Sequence, residues 1–147
     1  MKRRTLLKAG LGAGLAGVLV PGAALAQYPK NAFLAKETTE ALREVFGTAD
    51  IGDSDKIEIE APHIASDANM VPVRIRSGFD NTESISLVVA GNESPFTAHF
   101  RLYESQNFVS TRIRMSDAGE LLVVVKADGA LYTGRRAVRV GLNQCRA

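Results

Sequence analysis

Tryptophan is absent from this 147-residue chain, histidine occurs twice and cysteine once. One cysteine cannot close an internal disulfide, and with no tryptophan beside a cysteine pair an antibody-like core is excluded. His63 and His99 have no second ligand at metal spacing, so no metal site is expected. The chain carries neither a glycine-rich phosphate loop nor a nucleophile-elbow pattern, and no cofactor is expected. A Ser-His-Asp or Cys-His arrangement assembled from distant residues stays open.

A long apolar run is also missing. Leu11 to Val20 is apolar but glycine-rich, and a membrane anchor needs about 20 apolar residues. Lys2, Arg3, Arg4 and Lys8 precede it, Pro21 and Gly22 end it, and Ala24-Leu25-Ala26 follows as a small-x-small cleavage site. Basic, apolar and small-residue regions in that order make residues 1–26 an export signal of the twin-arginine kind, removed in the mature protein. Such signals serve proteins exported already folded. With no cofactor motif present, a partner bound before export is the reason to expect, and the periplasm is the destination. No membrane anchor remains once the signal is removed.

Four of the 18 Lys and Arg residues and none of the 16 Asp and Glu lie in that signal, which leaves a mature net charge of −2. Nucleic acid binding needs a retained basic surface and is not expected. The remaining 121 residues make one ordinary domain.

Residues 27–48 form an amino-terminal helical segment. Leu34, Thr38, Ala41, Leu42, Val45 and Phe46 recur at helical spacing from Asn31 to Phe46, with charged residues on the other side and Gly47 placed to end the helix. Thr48 to Asp55 is polar and reads as a linker. Residues 49–141 then change to a period of two. Ile57 and Ile59 share a face, as do Val71, Val73 and Ile75, with Pro72 suggesting a sheet edge. Ile85, Leu87 and Val89 alternate, followed by Phe96, Ala98, Phe100 and Leu102, then Val109, Thr111, Ile113 and Met115. Leu121 to Val125 is apolar throughout and should be the most buried strand. Asp128-Gly129 has the chemistry of a tight hairpin turn. About seven short strands without intervening helices indicate an all-β, immunoglobulin-like two-sheet sandwich. Most of the pairs Arg74/Arg76, Arg112/Arg114 and Arg135/Arg136 read as solvated faces, with a partner surface as the alternative for a stripe of them, and both histidines read as surface or partner-facing residues.

Residues 142–147 follow the last strand as a flexible arm. Cys145 lies third from the carboxyl terminus, and five extended residues beyond Val140 would carry it roughly 16–18 Å from the sheet. Arg146 beside it and Arg139 upstream favour the thiolate, the reactive form of the side chain. An unpaired thiol in an oxidising compartment points to a reactive role or an intermolecular bond.

The mature chain resembles the SoxY family, the sulfur-carrier subunits of the periplasmic thiosulfate-oxidising system. The resemblance is carried by Ala41-Leu42 to Phe46-Gly47, Ala61-Pro62 to Ile64-Ala65, Val71-Pro72-Val73 and Ser84-Ile85-Ser86-Leu87. It continues through Phe108 to Met115, Val123 to Gly129 and Leu131-Tyr132. It implies a non-enzymatic carrier that forms a heterodimer with a SoxZ-like subunit and presents covalently held sulfur intermediates to sulfur-oxidising periplasmic enzymes. The family's cysteine sits in a Gly-Gly-Cys-Gly-Gly arm, and Cys145 falls on it. The flanks depart from that pattern: after Gly141 and Leu142, Asn143 and Gln144 replace the preceding glycines, and Arg146 and Ala147 the following ones. Glycine supplies conformational freedom, so this arm is bulkier, stiffer and charged, as in a divergent member or a paralogue serving different enzymes. The alternative is an interaction protein whose Cys145 forms an intermolecular disulfide. A thiol enzyme acting alone ranks below both, since the sequence offers no fixed base near Cys145.

Overall fold

The computed structural model describes residues 29–141. The export signal lies outside them, as do Leu142, Asn143, Gln144, Cys145 and Arg146.

The helical segment is two helices, α1 (Lys30–Leu34) and α2 (Thr38–Phe46). The break between them departs from the single helix expected from periodicity, and its cause is tertiary. Ala35 is extended, at φ −60° and ψ 142°. The Ser94 hydroxyl donates to the Phe33 carbonyl at the end of α1, and Lys36 pairs with Glu93 at 2.9 Å. A turn some sixty residues away thus takes up groups that the next helical turn would have used. Gly47 ends α2 as expected, left-handed at φ 75°, with its N–H bonded to the Arg43 carbonyl at 2.8 Å.

Eight strands follow: β1 (Ile57–Glu60), β2 (Ile64–Ala65), β3 (Val71–Ser77), β4 (Thr82–Val89), β5 (Phe96–Arg101), β6 (Phe108–Ile113), β7 (Gly119–Ala127) and β8 (Ala130–Val140). They build a three-stranded sheet, β1-β3-β6, and a five-stranded sheet, β2-β8-β7-β4-β5. This is the immunoglobulin-like sandwich. Ile75, Ile85, Leu87, Val109, Leu121, Val123 and Val125 fill the space between the sheets. Burial of such side chains stabilises by about 1.5–3 kcal/mol each.

A second apolar layer lies on the outer face of the five-stranded sheet. There Ala32, Ala41 and Leu42 of the helices meet Val88, Phe96, Leu122 and Val124. Strand β7 is therefore covered on both faces, which explains its unbroken apolar run Leu121 to Val125. Asp128 and Gly129 both have positive φ, at 49° and 74°, as the expected type I′ hairpin turn between β7 and β8 requires.

Two strand expectations are corrected. Strand β3 is the centre of its sheet, not an edge; however, β1 ends at Glu60 opposite Arg74, so β3 has no partner on that side at Pro72. Phe96 does not share a face with Ala98, Phe100 and Leu102. The register shifts between Leu87 and Val88, taking the β5 partner from Ala98 to Phe96, and this bulge sends Phe96 to the helices. The polar stretch expected as a linker is bonded to the sheet: Ser54 N–H donates to the Thr133 carbonyl at 2.8 Å and Thr133 N–H to the Gly52 carbonyl at 2.9 Å.

Candidate functional site

The carboxyl-terminal strand β8 has eleven residues, and β7 pairs with it only as far as Val138, opposite Gly119. Past that point β2 takes over. This two-residue strand runs parallel to β8, with Ile64 opposite Arg139 and Ala65 opposite Val140. Arg139 N–H donates to the His63 carbonyl at 2.9 Å, and Gly141 N–H to the Ala65 carbonyl at 2.8 Å. Among the described residues, Gly141 is thus the last whose backbone the sheet holds. A Cβ there would lie 3.3 Å from the Ala65 oxygen and 3.4 Å from Ile64 Cγ2, a tighter approach than most side chains accept, so glycine suits the position.

Arg136 steadies β2 from beneath. Its Nη2 lies 3.3 Å from the Ala61 carbonyl and 3.3 Å from His63 Nε2. A guanidinium only donates, so Nε2 accepts and the His63 proton sits on Nδ1. Arg136 Nε is buried with no partner among the described residues, a cost that the two bonds from Nη2 offset. The solvated reading of Arg136 is therefore corrected. Arg74 and Arg76 do face solvent, each 3.7 Å from Glu60 and Glu58 across the strands, while Arg135 pairs with Asp53 at 3.2 Å and Glu120 at 3.5 Å.

Cys145 and its flanking residues lie outside the described residues, so the structure bears on them through their base. Cys145 is four residues beyond Gly141, which limits its distance from that base to roughly 13–14 Å at full extension. Arg139, which the sequence placed upstream of the thiol, is exposed on the strand that ends in this base. Among the described residues no group of three or more His, Cys, Asp or Glu side chains could hold a metal ion.

His99 is not a plain surface residue. It is half-buried on β5, and its Nδ1 lies 2.7 Å from the hydroxyl of Ser86, its partner on β4. Burial, and then the like charge of Arg101, hold its pKa below the usual imidazole value. Ser86 and His99 both lie on alternating strands, but only the pairing of β4 with β5 puts them together, and nothing local in the sequence signals it.

The family model described as "Sulfur oxidation protein SoxY" matches residues 42–145. Among solved structures, the sulfur carrier protein SoxY from Chlorobium limicola f thiosulfatophilum is 37% identical, with a TM-score of 0.62 over 69% of this chain and 94% of that one. Superoxide reductase (neelaredoxin) from Ignicoccus hospitalis is 17% identical, with a TM-score of 0.51 over 58% of this chain and 80% of that one, and shares the fold alone. No curated protein matches the chain.

Proposed function

The chain belongs to the SoxY family, and from that membership we propose that it is a periplasmic sulfur carrier, not an enzyme, with Cys145 as the point of covalent attachment. The observation that carries this reading is the family match running through the one cysteine of the chain, a few residues beyond a base that β2 and β8 hold in register. The solved Chlorobium relative is itself titled a sulfur carrier protein.

A carrier needs an accessible sulfur on a tether and a stable domain behind it. In loading, the Cys145 sulfur joins the outer sulfur of thiosulfate, and the thiol proton leaves to water. The two electrons released pass to a redox enzyme among the partners. The new sulfur–sulfur bond is then open to attack by a nucleophile or thiolate, so the cargo can be handed on. A SoxZ-like subunit completes the carrier as a heterodimer, and the twin-arginine signal exports the folded pair. Asn143, Gln144 and Arg146 in place of glycines select enzymes whose entrances accept a broader, charged arm.

The test is intact mass under non-reducing conditions, with peptide mapping of the tail, on protein recovered from the periplasm during growth on reduced sulfur. Increments of sulfur, thiosulfonate or sulfonate size on Cys145, and none in a folded Cys145→Ser variant, are the expected result. A bare thiol throughout, or loading that persists in the variant, would overturn the reading. A disulfide to another protein would favour the interaction-protein alternative.

A further inference from the structure

The two helices cover the middle of the five-stranded sheet's outer face and stop short of one end. A cleft of about 800 Å³ is left there. Its floor is a cross-strand row in which Ser84 stands between Lys126 on β7 and Arg101 on β5, with His99 two residues along β5. Phe46 and Leu102 contribute to the apolar part of the walls. Lys126 lies opposite Leu131 at the start of β8, so about 30 Å of strand separates this cleft from Gly141. The cleft is therefore distinct from the base of the Cys145 arm.

The floor is rich in hydrogen-bond donors, and two of them lack an acceptor among the described residues. Lys126 is shared with Glu83 at 2.8 Å, and Lys30 and Glu44 are also among the lining residues. Arg101 has no acidic partner and no side-chain hydrogen bond among the described residues. The Ser84 hydroxyl is likewise without a partner among them, although Ser84 is 95% removed from solvent. Ser86 is fully buried and its hydroxyl meets only His99 Nδ1. With the hydroxyl as donor in that bond, the proton of a neutral imidazole sits on Nε2; a protonated imidazole carries one there in any case. Directly paired residues such as Ser84 and Arg101 have Cβ atoms about 4.5–5.5 Å apart; both line the same cleft as His99, and the Arg101 charge is felt at that imidazole.

We propose that this cleft is a binding site for a small inorganic oxyanion, held at its floor by the Arg101 guanidinium, the His99 Nε2–H and the Ser84 hydroxyl. Arg101 supplies the charge and a two-pronged donor. The apolar part of the walls lowers the local dielectric and strengthens both. An anion bound there also relieves the repulsion that Arg101 exerts on a protonated His99 and raises the pKa of that imidazole.

The chain has two histidines, and that makes the test clean. His63 lies by the base of the arm, so its resonances serve as an internal control for those of His99. The ring protons of both are followed by NMR in the full-length chain while sulfate, thiosulfate or, at matched ionic strength, chloride is added. The expected result is a saturable shift of His99 alone with sulfate or thiosulfate, and an upward move of its titration midpoint. Arg101→Gln should weaken the binding by about tenfold to hundredfold, with His63 unchanged as the sign of an intact fold. An absent response, an equal response to chloride, or a response kept in Arg101→Gln would overturn the proposal.

Discussion

The Gly141 N–H and the Ala65 carbonyl, 2.8 Å apart, form the last main-chain bond of the sheet among the described residues. They join the end of the longest strand to one of only two residues in the shortest. That bond fixes Gly141, from which the chain continues towards Cys145.

Replacing Gly141 with Val would bring a branched side chain against an oxygen that a bare Cβ already approaches to 3.3 Å. The bond should lengthen or break, at about 0.5–1.5 kcal/mol. Amide hydrogen exchange at positions 139–141 should accelerate by roughly tenfold while the Val123 and Val125 amides keep their protection. Uniform acceleration across the sheet would show that the base is not a separate unit.

Phe96 joins the helices to the sheet. It is 2% exposed and meets the Phe33 ring edge-on at 4.8 Å between centroids. Phe96→Ala should cost about 3–5 kcal/mol, measured by urea unfolding, and should reduce helical circular dichroism before the sheet signal is lost.

His99 couples stability to pH. Its folded pKa lies below the usual value of 6.5 because of burial and then Arg101. The unfolded chain therefore binds the proton more readily. The contribution is complete above pH ~6.5 and is lost as the pH falls through the folded pKa. His99→Gln should flatten that part of the profile of unfolding midpoint against pH. An unchanged profile would assign the dependence to other groups. The Asp53 carboxyl is also held low, by its hydrogen bond from Thr133 and then by Arg135. Its contribution is likewise present above the unfolded carboxylate pKa and disappears at lower pH.

Gly129 has a φ of 74° with nothing within 4 Å of its missing side chain. The penalty for Gly129→Val is thus conformational, about 1–2 kcal/mol, and should appear as faster unfolding without a change in the native spectrum. Gly129→Asn should cost less, because asparagine accepts the left-handed region.

Much of this fold was legible in the strands themselves. Val71, Val73 and Ile75, and likewise Ile85, Leu87 and Val89, face the core as their alternation requires. The Asp128-Gly129 turn and the Gly47 helix end were also readable, because each depends on the conformational preference of one or two residues. Phe96 escaped because a bulge changes the phase of a period-two pattern without leaving a residue out of place. The break at Ala35 escaped because Ser94 and Glu93, which stabilise it, come from the β4–β5 turn. Cys145 stood out by being alone in the chain. Its base did not, since a parallel pairing between Ile64-Ala65 and Arg139-Val140 is a tertiary choice with no local signature. The bond between His99 and Ser86 has no local signature for the same reason, because Ser86 becomes its neighbour only across two strands.

The two sides of β8 have a mechanical consequence. At Thr133 the strand is flanked by Gly52 and Ser54, from Val138 back by β7, and at its end by β2. A tension applied through Gly141 along the strand loads these bonds side by side, in shear. Sliding β8 outward would require many of them to yield together, whereas peeling it sideways would break them one at a time. The stem can therefore bear a pull along its axis without surrendering the domain behind it.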